Sequence, residues 1–162
     1  MLTATPAPPG PPALDSIDRK VIATLRLYPR CSMTELARRV GVARGTALSR
    51  LRRLEDEGII RGYGPDLDGA QIGYAVTSFT TLEIFQNTLA ATLSQLEEIP
   101  EVMEVHTVTG TGDLLCRVVA QSNDHLHEVI QRIVAIPEVA RSSSDLCLTT
   151  ALSRDLADLI TS

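Results

Sequence analysis

The sequence predicts an α+β chain of two parts, an N-terminal three-helix helix-turn-helix domain and a C-terminal ferredoxin-like βαββαβ domain, on three observations. Within residues 32–58 a short capped helix ends at a glycine, and three residues later a second helix begins that is apolar on one side and cationic on the other. The tetrapeptide Ile-Pro-Glu-Val occurs twice, at Ile99–Val102 and Ile136–Val139, each time between an amphipathic helical pattern and a strand pattern. Charge divides in the same way. Residues 14–64 hold eleven Arg/Lys against six Asp/Glu, a net +5, and the remainder holds four against fourteen, a net −10, within an overall −5. The overall charge argues against a nucleic-acid partner, but a basic part joined to an acidic part fits a DNA-binding domain carrying a second function.

Residues 1–13, MLTATPAPPGPPA, hold five prolines in Pro6–Pro12 and no periodic apolar face, which predicts a disordered, polyproline-like tail. The tail lacks Arg and Lys and is unsuited to tracking a DNA groove. The helix-turn-helix domain is expected over 14–64. Asp15 caps its first helix, in which Leu14, Ile17, Val21, Ile22 and Leu25 fall at helical spacing and which stops before Pro29. Ser32 and Glu35 predict a reciprocal capping box; Leu36, Ala37 and Val40 form the apolar stripe that follows, and Gly41 ends the helix in the left-handed conformation. On the next helix, at about 100° per residue, Ala47, Leu48, Leu51 and Leu54 share one arc. Thr46, Ser49 and Arg53 fall opposite, with Arg50 and Arg52 on the flanks.

That cationic side predicts contact with double-stranded DNA through Arg44, Thr46, Ser49, Arg50, Arg52 and Arg53, since guanidinium groups reach phosphates and guanine edges in a major groove. The competing reading is an amphipathic helix with a solvated charged face; the helix-turn-helix spacing favours DNA.

Ile59–Tyr63 predicts a short strand leaving the bundle, and residues 65–73, with turn chemistry at Gly64-Pro65-Asp66 and Asp68-Gly69, a linker. Residues 74–150 then repeat the order β-α-β. The strands are expected at Ala75–Ile84, Val102–Val108, Asp113–Ala120 and Val139–Thr149. The first helix buries Leu89, Leu93, Leu96 and Ile99, and the second Leu126, Val129, Ile130, Ile133 and Val134. Two helices on one side of a four-stranded antiparallel sheet leave the other side bare, which predicts a homodimer. In the tail 151–162, Leu152, Leu156, Leu159 and Ile160 predict a short helix that adds to an assembly contact.

Other function classes find little support. With two Phe, three Tyr and no Trp the cores are aliphatic and base-stacking platforms are few. Cys31, Cys116 and Cys147 are widely spaced and form no CxxC pair, which favours buried thiols in a reducing, cytoplasmic compartment. His125 and His127 point in different directions on a helix and make a poor metal pair, and His106 is expected to pack within a strand. No metal, cofactor or membrane contact is expected, and no nucleophile or paired-carboxylate spacing suggests an enzyme.

Leu14–Asp18, Glu35–Ala37, Arg50–Glu55 and Gly58–Tyr63, in that order and continuing to about Leu148, resemble the Lrp/AsnC (feast/famine) family of bacterial and archaeal transcription regulators. The resemblance implies dimers formed through the C-terminal domain, further assembly into higher oligomers, and a small-molecule effector, an amino acid. Ala43 stands where the family usually has a capping serine, so the recognition helix is expected to start a residue or two late or to fray at Arg44 and Gly45. Val108–Asp113 reads by pattern as a hairpin whose glycines supply positive φ, and not as a phosphate loop. In the family this hairpin, Gly-Xaa-aromatic-Asp, lies in the amino-acid site. Gly110 and Asp113 match, while Gly112 replaces the aromatic and is expected to leave space for a larger effector. The effector residues so implied are Thr109, Gly110, Thr111, Gly112 and Asp113, with Ser142 and Ser144 as hydroxyl partners. The alternative is a ligand-independent architectural DNA-binding protein.

Overall fold

A computed structural model describes residues 13–161; the expected Pro-rich tail, apart from Ala13, lies outside them. The chain divides into two compact units, one running to Pro65 and resuming at Leu152, the other spanning Asp66–Ala151.

In the first unit α1 (Ser16–Leu27), α2 (Met33–Val40) and α3 (Arg44–Asp56) enclose Val21, Leu36, Val40 and Leu54. Helix α1 begins in a capping box made by two aspartates. The Asp15 carboxylate accepts the Ile17 and Asp18 N–H groups at 2.8 and 2.9 Å, and the Asp18 carboxylate accepts the Asp15 N–H at 3.0 Å. Helix α2 has only half of the box expected for it: Ser32 Oγ accepts the Glu35 N–H at 3.2 Å, but Glu35 pairs with Arg38 and Arg39 at 2.7 and 2.6 Å. Two charge-assisted contacts one turn away outcompete one neutral N–H. Gly41 takes φ 81° as expected.

Helix α3 starts at Arg44, without the late start expected from Ala43. Ala43 contributes no side-chain cap, but its carbonyl accepts the Ala47 N–H at 3.0 Å, and Ala47 is fully buried, so packing holds the first turn that a serine would otherwise cap. Ile59–Tyr63 is not a strand. The Ile60 N–H returns to the Leu54 carbonyl at 2.9 Å, and Ile59 and Ile60 pack on the bundle core, which commits this backbone to closing α3. The C-terminal segment does form a helix, α6 (Leu156–Thr161), but its recorded packing is on α1 of the same unit: the Arg26 guanidinium bonds both Asp158 carboxylate oxygens at 2.6 and 3.1 Å, and Arg19 donates to the Ile160 carbonyl at 3.2 Å.

The second unit is a ferredoxin-like β1 (Val76–Ile84), α4 (Leu89–Glu97), β2 (Val102–Thr107), β3 (Leu114–Ala120), α5 (Asn123–Val134), β4 (Val139–Cys147), with antiparallel strands ordered β2-β3-β1-β4. Leu82, Leu114, Cys116 and Val118 from the sheet meet Leu96, Ile99, Val129 and Ile133 from the helical side. Leu89, expected in the buried stripe of α4, is exposed; Thr92 takes the buried place and satisfies its hydroxyl on the Thr88 carbonyl at 2.9 Å. Val134 is exposed as well. Burial pushes the Cys116 thiol up to about 11, so it stays protonated and unreactive. The other side of the sheet carries Phe79, Leu115, Val119 and Cys147 among polar neighbours, with no element of this unit over it.

Candidate DNA interface and effector hairpin

Helix α3 presents two different cationic surfaces. The side chains of Arg44, Thr46, Ser49 and Arg52 are exposed and make no hydrogen bond or ion pair with the described residues. A shallow groove of about 450 Å³ runs beside them, lined by Gly45, Leu48, Ser49, Arg52, Arg53, Asp56 and Glu57. Arg50 and Arg53, the latter also lining that groove, direct their guanidinium ends towards the start of α1. Arg50 Nη1 lies 2.5 Å from Asp15 Oδ2 and 3.3 Å from Asp18 Oδ1, and Arg53 Nη2 bonds Asp18 Oδ2. The expectation that Arg53 stands free opposite the apolar arc is therefore corrected. The Asp18 N–H, and then Arg50, hold the Asp15 carboxyl below its ordinary pKa, and Asp18 raises that of Arg53 further. The helical wheel placed these arginines correctly by angle but had no means of showing the aspartates of α1, which lie 32 to 35 residues away in sequence.

The hairpin between β2 and β3 is stitched to β1. The Val108 N–H reaches the Asp113 carbonyl at 3.1 Å, the Asp113 N–H donates to the Leu82 carbonyl at 2.8 Å, and the Ile84 N–H donates to Asp113 Oδ2 at 2.8 Å. Gly110 takes φ 131°, but Gly112 is not among the positive-φ residues and serves another purpose. A Cβ at position 112 would lie 2.2 Å from Thr81 Cγ2 and 3.2 Å from the Leu82 carbonyl oxygen. The space expected from the missing aromatic does not exist at this Cα, because the Thr81 methyl fills it.

Ser142 and Ser144 are also not brought to Gly112. They pair with Leu82 and Thr80, whose side chains are buried on the helix-covered face, and Ser144 Oγ shares a 3.0 Å hydrogen bond with Thr80 Oγ1. Opposite Thr81 stands Ser143. Because side chains alternate, a one-residue error in parity selects the wrong face, and only the β1–β4 register reveals it. The same register identifies what sequence reasoning missed around the hairpin: Thr81, the Leu82 carbonyl and the Ile84 N–H.

His106 departs from the expectation that it packs within a strand. His106 is exposed, 3.2 Å from a Glu104 carboxylate that also binds Arg117 at 2.7 Å. His125 is half-buried, accepting the Gln121 N–H on Nδ1 at 3.2 Å with Nε2 3.3 Å from Glu101. Among the described residues no cluster of three His, Cys, Asp or Glu side chains is placed to hold a metal ion, and no helix is long and apolar enough to cross a membrane.

Comparison with known proteins matches residues 14–61 to a winged helix-turn-helix DNA-binding model and residues 77–156 to the Lrp/AsnC ligand binding domain. The chain is 26% identical over 137 residues to the HTH-type transcriptional regulator FL11 of Pyrococcus horikoshii, covering 85% of this chain and 91% of that protein. Among solved structures it is similar to AsnC of E. coli, with a TM-score of 0.84 and 28% identity over 90% of this chain and 99% of that one. It is likewise similar to the leucine response regulatory protein LrpA of Mycobacterium tuberculosis, with a TM-score of 0.73 and 30% identity over 86% and 96%.

Proposed function

Because the chain belongs to the Lrp/AsnC family and carries that family's DNA-binding and ligand-binding regions in order, we propose that it is a sequence-specific transcription regulator responding to a small effector, an amino acid. The carrying observation is the outward face of α3, where the side chains of Arg44, Thr46, Ser49 and Arg52 have no partner among the described residues. Two guanidiniums offer phosphate neutralisation or bidentate guanine contacts, and two short hydroxyls offer adaptable donors and acceptors beside them. The bare face of the sheet, with Phe79, Leu115 and Val119, supports a homodimer. Two copies of α3 would then read half-sites spaced by whole helical turns.

An amino-acid effector is supported by the match of residues 77–156 to a ligand-binding domain and by the mycobacterial relative, named for a leucine response. Of the expected set Thr109, Gly110, Thr111, Gly112, Asp113, Ser142 and Ser144, the hairpin members remain the proposed contacts, with backbone N–H groups for a carboxylate and the second Asp113 oxygen for an ammonium. The architectural reading is favoured by two observations: Gly112 is closed against Thr81, and Asp113 is already bonded to Ile84. A thermal-shift screen of the twenty amino acids on the full-length protein, with sedimentation in parallel, separates the two. Stabilisation by one amino acid supports the sensor, and uniform silence with intact salt-sensitive duplex binding supports the architectural protein.

A further inference from the structure

We infer that Asp15 and Asp18 clamp the recognition helix to α1 through Arg50 and Arg53, so that these two arginines position α3 and the DNA is met by Arg44, Thr46, Ser49 and Arg52. The inference rests on the reading that the outward face of α3 is the DNA face, and it assigns different work to the two cationic surfaces of one helix.

Asp18 is 0% exposed and sits at the first turn of α1, where its carboxyl group faces the N-terminal end of the helix and accepts the Asp15 N–H at 3.0 Å. Its two oxygens are taken by Arg53, by Arg50 and by that N–H. Asp15 adds a further contact to Arg50 at 2.5 Å. A buried carboxylate cannot release its guanidinium to a phosphate without leaving an uncompensated charge in the core, so DNA competes poorly for Arg53. The side chain itself points the same way: Arg53 Nε is buried without an acceptor among the described residues, which fits a guanidinium wedged inward and working through its Nη end. Two arginines facing two aspartates also cancel in the field seen by an approaching duplex, whereas Arg44 and Arg52 do not. What the clamp supplies is the rotation of α3 about its own axis, since two points of attachment spaced three residues apart fix which side faces outward.

The test uses the full-length protein and a duplex selected from a random pool, with affinity measured across a salt series for wild type, Arg52→Ala, Asp18→Asn and the double variant Asp18→Leu/Arg53→Met. Removing Arg52 is expected to cost roughly tenfold in affinity and to flatten the salt slope by about 0.9. The double variant, which replaces the charged pair by apolar groups, should retain the wild-type slope and stay within about threefold of wild-type affinity, and Asp18→Asn should lower the Tm without tightening DNA binding. A gain in affinity and slope in Asp18→Asn would mean that a released arginine is captured by phosphate, and a loss of slope in the double variant equal to that of Arg52→Ala would mean that Arg53 touches DNA; either overturns the clamp. Should the double variant not fold, the Arg53 Nε–H resonance of the wild-type protein decides: no shift on adding duplex supports the clamp and a large shift overturns it. If Arg52→Ala binds as wild type while Asp18→Asn still lowers the Tm, the DNA-face reading fails and the clamp stands as a structural device.

Discussion

On the outward side of α3 the functional side chains have no partner among the described residues, whereas in the β2–β3 hairpin Asp113 is bonded to β1 and Gly112 is closed against Thr81. Both were assigned from short local patterns. The difference lies in how many chain segments decide the outcome. A helix packed on two others has an inside fixed by its own periodicity, so most of its outside can be read from the same wheel, with Arg53 the exception because its Asp18 partner lies on α1. A hairpin lies against strands distant in sequence, and whether Asp113 is free depends on Ile84, which no local spacing announces.

The largest expected effect sharpens the comparison within α3. Replacing Asp18 alone by Leu leaves Arg53 and Arg50 without their buried acceptor and should cost about 3 kcal/mol in urea unfolding, the low end for a broken buried pair because the guanidiniums keep about a third of their surface in water. Arg52→Ala, on the outward side, should leave the same unfolding curve unchanged. Equal destabilisation by both would erase the distinction between the two surfaces.

Next comes Gly112. Gly112→Ala should destabilise the protein by about 1–3 kcal/mol through overpacking against Thr81, and adding Thr81→Ser, which removes the obstructing methyl, should recover part of the loss. An additive double variant would show that the methyl is not the obstacle. A smaller effect is expected at Asp113: Asp113→Ala orphans the Ile84 N–H and should cost about 1 kcal/mol, while Asp113→Asn keeps an acceptor and should cost little. An amino acid whose binding is abolished by Asp113→Asn, with the Tm unchanged, would show a ligand role for the charge separate from the stitch.

The smallest effect concerns α2. Arg38, then Arg39, hold the Glu35 carboxyl at about 2, against an ordinary 4.5. A depressed carboxyl contributes stability that is present above the ordinary value and lost as the pH falls through the folded one. The Tm difference between wild type and Glu35→Gln should therefore be constant above 4.5, shrink between 4.5 and 2, and be absent below 2. Carboxyl NMR titration of Glu35 checks the same window directly.

Much of the fold was legible. The Ile-Pro-Glu-Val repeat and the alternation around it located all four strands to within two residues at each end, because burial on one face leaves a period in the sequence. The left-handed Gly41 was legible for a similar reason: one residue type meets one backbone requirement. Misread elements had partners, near or far in the chain, that their own pattern did not show. Ile59–Tyr63 has strand composition but its Ile60 N–H closes α3, Glu35 has a capping-box position but finds two arginines, and Ser142 and Ser144 pair with Leu82 and Thr80 instead of reaching Gly112. At Gly112 the family pattern pointed to a vacancy, while the close approach of Thr81 turns the absent side chain into a packing requirement.

The most direct test of the central claim is the salt dependence of duplex binding by the Arg44→Ala/Arg52→Ala variant beside wild type, with circular dichroism confirming that both are folded. If the outward face of α3 meets the DNA, the slope of log affinity against log salt flattens by about 1.8, the equivalent of two lost phosphate contacts, and the Tm does not move. A folded variant with the wild-type slope would contradict it.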